Sequence, residues 1–158
     1  MRFGIGFDIH PLVSGRKLVL GGMEIPFDRG LDGWSDADVL THASIDALLG
    51  AAAMGDIGMH FPPGKAEYKN ISSLKLLTEI KKKLTAAGWQ INNIDATVIA
   101  EKPHLREYID TMRERLSRTL DLPLAQVSVK ASTANQVGPL GQEEAIATMA
   151  IASIEKIN

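Results

Sequence analysis

Four stretches of the chain hold side chains that could do chemistry. In the first, Asp8-Ile9-His10, the pair sits in a segment where Phe3, Ile5, Phe7 and Ile9 alternate with Gly4, Gly6, Asp8 and His10. That period of two is a strand's, so a carboxylate and an imidazole project from one face, beside two glycines that leave room for something to approach the backbone. The pair suits a divalent metal or a histidine oriented by an acid, and equally a hydrogen-bonded surface pair. The second is His42, with Asp38 four residues before it and Asp46 four after, on one face of a helix. It reads either as part of a solvated polar stripe or as a further metal ligand whose free ring nitrogen an aspartate orients. Spacing alone does not bring His42 beside His10. The third, Gly55-Asp56-Ile57-Gly58, is a helix stop and turn, or a turn whose glycines admit a substrate. The fourth, Lys130-Ala131-Ser132-Thr133-Ala134-Asn135, ends a strand in hydroxyls and an amide. Such groups suit phosphate contacts and are also common at strand ends. His60 receives no role, and Lys81-Lys82-Lys83 reads as a solvated helix face.

Composition narrows the classes. The 158 residues fit one compact domain, 45% hydrophobic but only 5% aromatic, so an aliphatic, alanine-rich core is expected. A net charge of −2 with mixed signs argues against nucleic acid and membrane surfaces as partners. With no cysteine, disulfides and cysteine zinc sites are excluded, and a metal must use His, Asp, Glu or amide oxygen. No apolar run approaches the roughly 20 residues that span a bilayer, and the N-terminus reads at once as strand. A cytoplasmic protein is the expectation.

The elements that must position these groups follow from periodicity. After the first strand, Lys17–Leu20 and Met23–Pro26 read as a hairpin turning on Gly21-Gly22. Ser35-Asp36-Ala37-Asp38 resembles a capping box and opens a helix to about Met54, stopped by Gly55. Residues 56–70 lack periodicity and read as a long loop, of the kind that often forms a lid. A second helix runs from Ser72 or Ser73 to Gly88, a strand from 91 to 100, and a third helix from Pro103 to Leu120. Residues 127–132 alternate as a strand, 133–141 form a loop, and a last helix is expected from Glu143 to Lys156. The expected fold is α+β: one domain over residues 1–158, a mixed sheet of about four strands with helices on one face, and a small N-terminal hairpin.

Taken together and in order, several motifs are specific. Gly6-Phe7-Asp8-Ile9-His10, Ser35-Asp36-Ala37-Asp38-Val39, His42-Ala43, Asp46-Ala47-Leu48-Leu49-Gly50-Ala51-Ala52 and Gly55-Asp56-Ile57-Gly58 resemble the cyclodiphosphate synthases of the non-mevalonate isoprenoid route. The likeness continues through Phe61-Pro62, Asn93-Ile94-Asp95, Ile99-Ala100-Glu101-Lys102-Pro103, Met112-Arg113, Val129-Lys130-Ala131 and Glu144. This resemblance implies a homotrimer with active sites between subunits. It implies conversion of 4-diphosphocytidyl-2-C-methyl-D-erythritol 2-phosphate to the 2,4-cyclodiphosphate plus CMP, by attack of the 2-phosphate on the β-phosphorus. It places Zn2+ or a similar divalent metal on Asp8, His10 and His42, and a second cation, Mg2+ or Mn2+, with the substrate phosphates. Ala100, Lys102, Pro103, His104, Leu105 and Ser132 would line the cytidine side. Ser35, Asp56, Ile57, Gly58 and Phe61 would face the erythritol. Thr133 matches a position that stabilises the transition state.

The sequence departs from the family pattern at named places. Trp34 stands where many members have a stabilising His, Asn135 where a Glu usually binds the second cation, and Gln142 where Arg is common. Pro63-Gly64-Lys65 replaces an acidic lid motif, and His104 a common Lys. The reading is therefore a metal-assisted cyclase. The alternatives are a metal-dependent phosphohydrolase on the same scaffold and a trimeric metal- or ligand-binding protein with little catalysis.

Overall fold

A computed structural model describes residues 1–157. In chain order its elements are β1 (Arg2–Ser14), β2 (Leu18–Leu20), β3 (Met23–Ile25), β4 (Arg29–Leu31), α1 (Val39–Ala52), α2 (Ile57–His60), α3 (Ser73–Ala86), β5 (Trp89–Ile99), α4 (Ile109–Leu120), β6 (Val127–Ser132), α5 (Gly138–Gly141) and β7 (Ala145–Lys156). Five strands form one mixed sheet in the order β4-β1-β7-β5-β6, in which only the β5–β6 pair is parallel. β2 and β3 form a separate hairpin, with Gly21 and Gly22 both at positive φ as a two-residue turn of this kind requires. The fold is α+β with a mixed sheet, as expected, but with five strands where about four were expected.

Two strands of this sheet, β4 and β7, are not read as strands from the sequence. Glu143–Lys156 is not a helix: from Ala145 the chain runs extended between β1 and β5. Alanine favours helix, yet in the middle of the sheet both faces of this segment are in use. Thr148, Ala150, Ala152 and Ile154 are buried, while Met149 and Ile151 stand on the opposite face. With apolar residues on both sides, neither period stands out in the sequence.

Helices cover one face of the sheet, and two glycines determine how closely. A Cβ on Gly4 would lie 2.0 Å from the carbonyl oxygen of Ala47, and one on Gly6 would lie 2.0 Å from that of Ala43. The backbone of α1 therefore rests directly on β1, which is what the room beside Asp8 and His10 accommodates. The alternation of β1 is thus inverted relative to a simple half-buried strand. Its glycine face is covered, and Phe3 (68% exposed), Ile5 (65%) and Phe7 (54%) lie open. Behind the sheet, Leu40, Ile45, Leu48 and Leu49 of α1 join Leu77, Ile80 and Leu84 of α3 and Met112 and Leu116 of α4 in one aliphatic core.

Several local boundaries differ from the sequence reading: β1 runs on to Ser14, β5 begins at Trp89, and the segment 133–141 holds the short helix α5. α1 begins at Val39 because Asp38, not Ser35, is its cap: the Asp38 carboxylate accepts Thr41 N–H (3.0 Å) and Thr41 Oγ1–H (2.7 Å). The same buried carboxylate accepts the N–H groups of Gly21 (2.9 Å) and Gly22 (2.7 Å), tying the hairpin to the helix start. Burial, and after it the charge of Asp36, pushes this carboxyl up, and the Thr41 and Gly22 donors act against that shift. The segment 56–70 holds a short helix, α2, capped by Asp56 through Met59 N–H (2.9 Å), and a 3₁₀ turn at Ala66–Tyr68. The helix expected from Pro103 starts later: the Lys102–Pro103 peptide is cis, and a 3₁₀ turn at Arg106–Tyr108 leads into α4. Among the described residues, no helix is long and apolar enough to cross a membrane.

Candidate functional site

The close seat of α1 on β1 joins two stretches that the sequence leaves apart. Ala43 presses on Gly6, so its neighbour His42 is carried onto the face from which Asp8 and His10 project. Asp8 Oδ2 lies 2.9 Å from His42 Nδ1 and 3.3 Å from His10 Nε2, and one donor atom from each of the three lies within 4.8 Å of the others.

Each imidazole is held from behind. His10 Nδ1 contacts the carbonyl of Asp32, which accepts its proton and leaves Nε2 facing Asp8. His42 Nε2 lies 2.8 Å from Ser73 Oγ and 3.2 Å from Ser35 Oγ. Ser73 Oγ–H donates to Asp36, whose carboxylate also accepts Ser73 N–H at 2.8 Å. With its own proton engaged on Asp36, the Ser73 oxygen receives Nε2–H of His42, and Nδ1 is left to face Asp8. Neither flanking aspartate orients His42: Asp38 caps α1, and Asp46 accepts Ile57 N–H (2.7 Å).

The electrostatics match a cation site. Burial pushes the Asp8 carboxyl up, but hydrogen bonds from His10 and His42 outweigh it and hold the carboxyl well below the usual range. Asp8 in turn raises His10, mainly by hydrogen bonding and against burial. Metal bonds of about 2.0–2.2 Å at tetrahedral angles put ligand atoms roughly 3.4 Å apart, near the two distances from Asp8 Oδ2 to the imidazole nitrogens. A carboxylate oxygen and two imidazole nitrogens with fixed tautomers fit such an ion.

Around the triad, Trp34, Ser35, Ile57, Gly58 and Phe61 line a cavity of about 250 Å³, with Pro63, Tyr68 and Leu76 completing its wall. Asp56 is not in that lining and serves as the cap of α2. A second cavity, of about 520 Å³, is lined by Ala100, Pro103, His104, Leu105, Ser132 and Thr133 together with Arg106 and Ile109. Lys102 lies outside its lining and pairs with Glu143 (3.2 Å), which also binds Arg29 (2.9 Å). Asn135, at positive φ, accepts a hydrogen bond from Thr133 Oγ1 (3.3 Å) at its Oδ1. Sequence reasoning missed Asp36, Ser73 and the Asp32 carbonyl. Ser73 was legible only as the start of α3, and a carbonyl leaves no trace in residue type.

The profile of the YgbB family matches residues 1–155. The chain belongs to the YgbB family. It is 53% identical over 156 residues to the 2-C-methyl-D-erythritol 2,4-cyclodiphosphate synthase of Dehalococcoides mccartyi, a match covering 99% of each chain. The bifunctional IspDF of Campylobacter jejuni superposes with a TM-score of 0.95 at 36% identity, covering 99% of this chain and 42% of that one. The Plasmodium falciparum IspF in complex with CDP superposes with a TM-score of 0.87 at 29% identity, covering 99% and 97%. In this YgbB-family chain the Asp-x-His pair of β1 and the histidine of α1 form the one acid–imidazole cluster fit for a metal among the described residues.

Proposed function

We propose that this chain is a 2-C-methyl-D-erythritol 2,4-cyclodiphosphate synthase, one synthase domain over residues 1–158. The observation that carries the reading is the Asp8–His10–His42 cluster with both tautomers fixed beside a walled cavity. The substrate is 4-diphosphocytidyl-2-C-methyl-D-erythritol 2-phosphate. A 2-phosphate oxygen bonds to the β-phosphorus, the bond from that phosphorus to the oxygen bridging the α-phosphate breaks, and CMP leaves with the electron pair.

The nucleophile is already an anion, so no strong general base is needed; charge repulsion and misalignment are the obstacles. Asp8, His10 and His42 would hold Zn2+ or a similar divalent ion, which supplies Lewis acidity toward a phosphate oxygen. Ser35, Ile57, Gly58 and Phe61 border the space for the erythritol unit, with Asp56 fixing the start of α2 beneath them. Ala100, Pro103, His104, Leu105 and Ser132 form the cytidine side, and Lys102 supplies a cation at its edge. The CDP complex of the Plasmodium relative supports a cytidine-linked substrate here. Thr133, which lines the second cavity, would turn its hydroxyl from Asn135 toward charge developing on the transferred phosphate. Asn135 offers a neutral oxygen to the second cation, Mg2+ or Mn2+, which arrives with the substrate's own phosphates.

The reading includes a cytoplasmic homotrimer. The metal cavity and the nucleotide-side cavity share no lining residue, and the open face of β1 and β7 is apolar. A substrate would be held by the metal cavity of one subunit and the nucleotide cavity of its neighbour.

Purified protein incubated with the substrate, Zn2+ and Mg2+ and followed by chromatography tests this. CMP together with the cyclic diphosphate is the expected result. CMP with a linear diphosphate would make the chain a phosphohydrolase, and no CMP would make it a binding protein.

A further inference from the structure

Trp34 lines the metal cavity and is 39% exposed. Indole has one donor, no acceptor and no titration near neutrality. That donor is occupied: Nε1–H of Trp34 donates to the Lys65 carbonyl at 2.9 Å. Two further contacts bind the same segment. The Trp34 carbonyl accepts Asn70 N–H at 2.9 Å, and the Lys69 ammonium stands 5.9 Å from the centre of the ring. The Lys65 carbonyl also accepts Tyr68 N–H (3.1 Å), closing the 3₁₀ turn whose Tyr68 packs edge-on against Phe61 (5.5 Å between centroids). Phe61, Pro63 and Tyr68 are wall residues of the metal cavity. Immediately after Trp34, Asp36 N–H donates to the Ile71 carbonyl (3.1 Å) and the Asp36 carboxylate holds Ser73. One short strip, residues 34–36, therefore fixes both the wall segment and the serine behind His42.

We propose that Trp34 is a positioning residue: its indole N–H latches segment 61–70 over the metal cavity and sets the shape of the wall that receives the substrate. It acts through the segment, not on the reacting phosphate. The glycine at position 64, at positive φ with open space around it, gives the segment the turn that brings Lys65 back to Trp34.

The functional half of this inference rests on the cyclase reading; the structural half does not. Trp34→Phe keeps a ring beneath Lys69 and removes only the N–H. Hydrogen exchange of the amides in 61–70, measured without substrate, should quicken roughly three- to tenfold, as expected for one lost hydrogen bond. In cyclase assays KM should rise by a similar factor, with kcat falling less than KM rises and zinc affinity, read by chelator competition, unchanged. Unchanged exchange in 61–70 overturns the latch whether or not the protein turns over substrate. A collapse of kcat at constant KM would overturn it by placing Trp34 on the reacting atoms. If the parent releases no CMP, the cyclase reading falls while the exchange result still decides the latch.

Discussion

His42 shows how much of a candidate metal site lies behind the residues that would ligate the ion. Its donor nitrogen is selected by Ser73, and Ser73 is set by Asp36, so the acid acts on the triad without touching it. Partners of this kind are worth about 10- to 100-fold in metal affinity. Ser73→Ala should therefore weaken zinc binding by roughly that factor, read by competition with a chromophoric chelator, although Ser73 is not a ligand. Affinity equal to the parent's would show that Ser35, 3.2 Å from the same nitrogen, suffices alone. The residues of the cluster were partly legible: Asp8 and His10 share a strand face by period two, and His42 is polar on a largely apolar helix. Their convergence was not legible, because it depends on α1 lying against Gly4 and Gly6, and glycine is equally compatible with an empty space.

At the scale of elements, the sequence was clear wherever one face is buried and the other wet. α3 and α4 follow their stripes of leucine and isoleucine, and the β2–β3 hairpin turns on its two glycines. It misled at β7, where a central strand buried on one face and apolar on the other resembles an alanine-rich helix. β7 is preceded by an ionic clasp: Glu143, at the turn, binds Arg29 of β4 and Lys102 of the loop after β5. Lys102 foremost, and Arg29 with it, prevail over desolvation and hold the Glu143 carboxyl below the usual range. A carboxyl whose folded pKa lies below its unfolded value stabilises fully above the unfolded value and loses that contribution as pH falls through the folded one. Glu143→Gln should accordingly lower the thermal midpoint at neutral pH, and the gap to the parent should close as pH falls below about 4. A gap that persists in strong acid would show that packing at the turn, and not charge, does the holding.

The whole molecule presents an apolar sheet face formed by Phe3, Ile5, Phe7, Ile9, Met149 and Ile151. In the proposed trimer, further copies of the chain would cover this face, which a lone chain leaves open to water. Light scattering should give three times the 17.1 kDa monomer mass, and Phe7→Glu should shift the mass toward the monomer while abolishing CMP release. A monomer with full activity would refute the shared site. The backbone-to-backbone seam of α1 on Gly4 and Gly6 has a thermodynamic corollary. In domains that fold only around their ion, chelation must supply the free energy of ordering the chain. Here the ligand atoms converge on a scaffold already closed by packing, so little conformational entropy remains to be lost when the ion enters. A chelator would strip the centre and leave the scaffold standing, ready to reload.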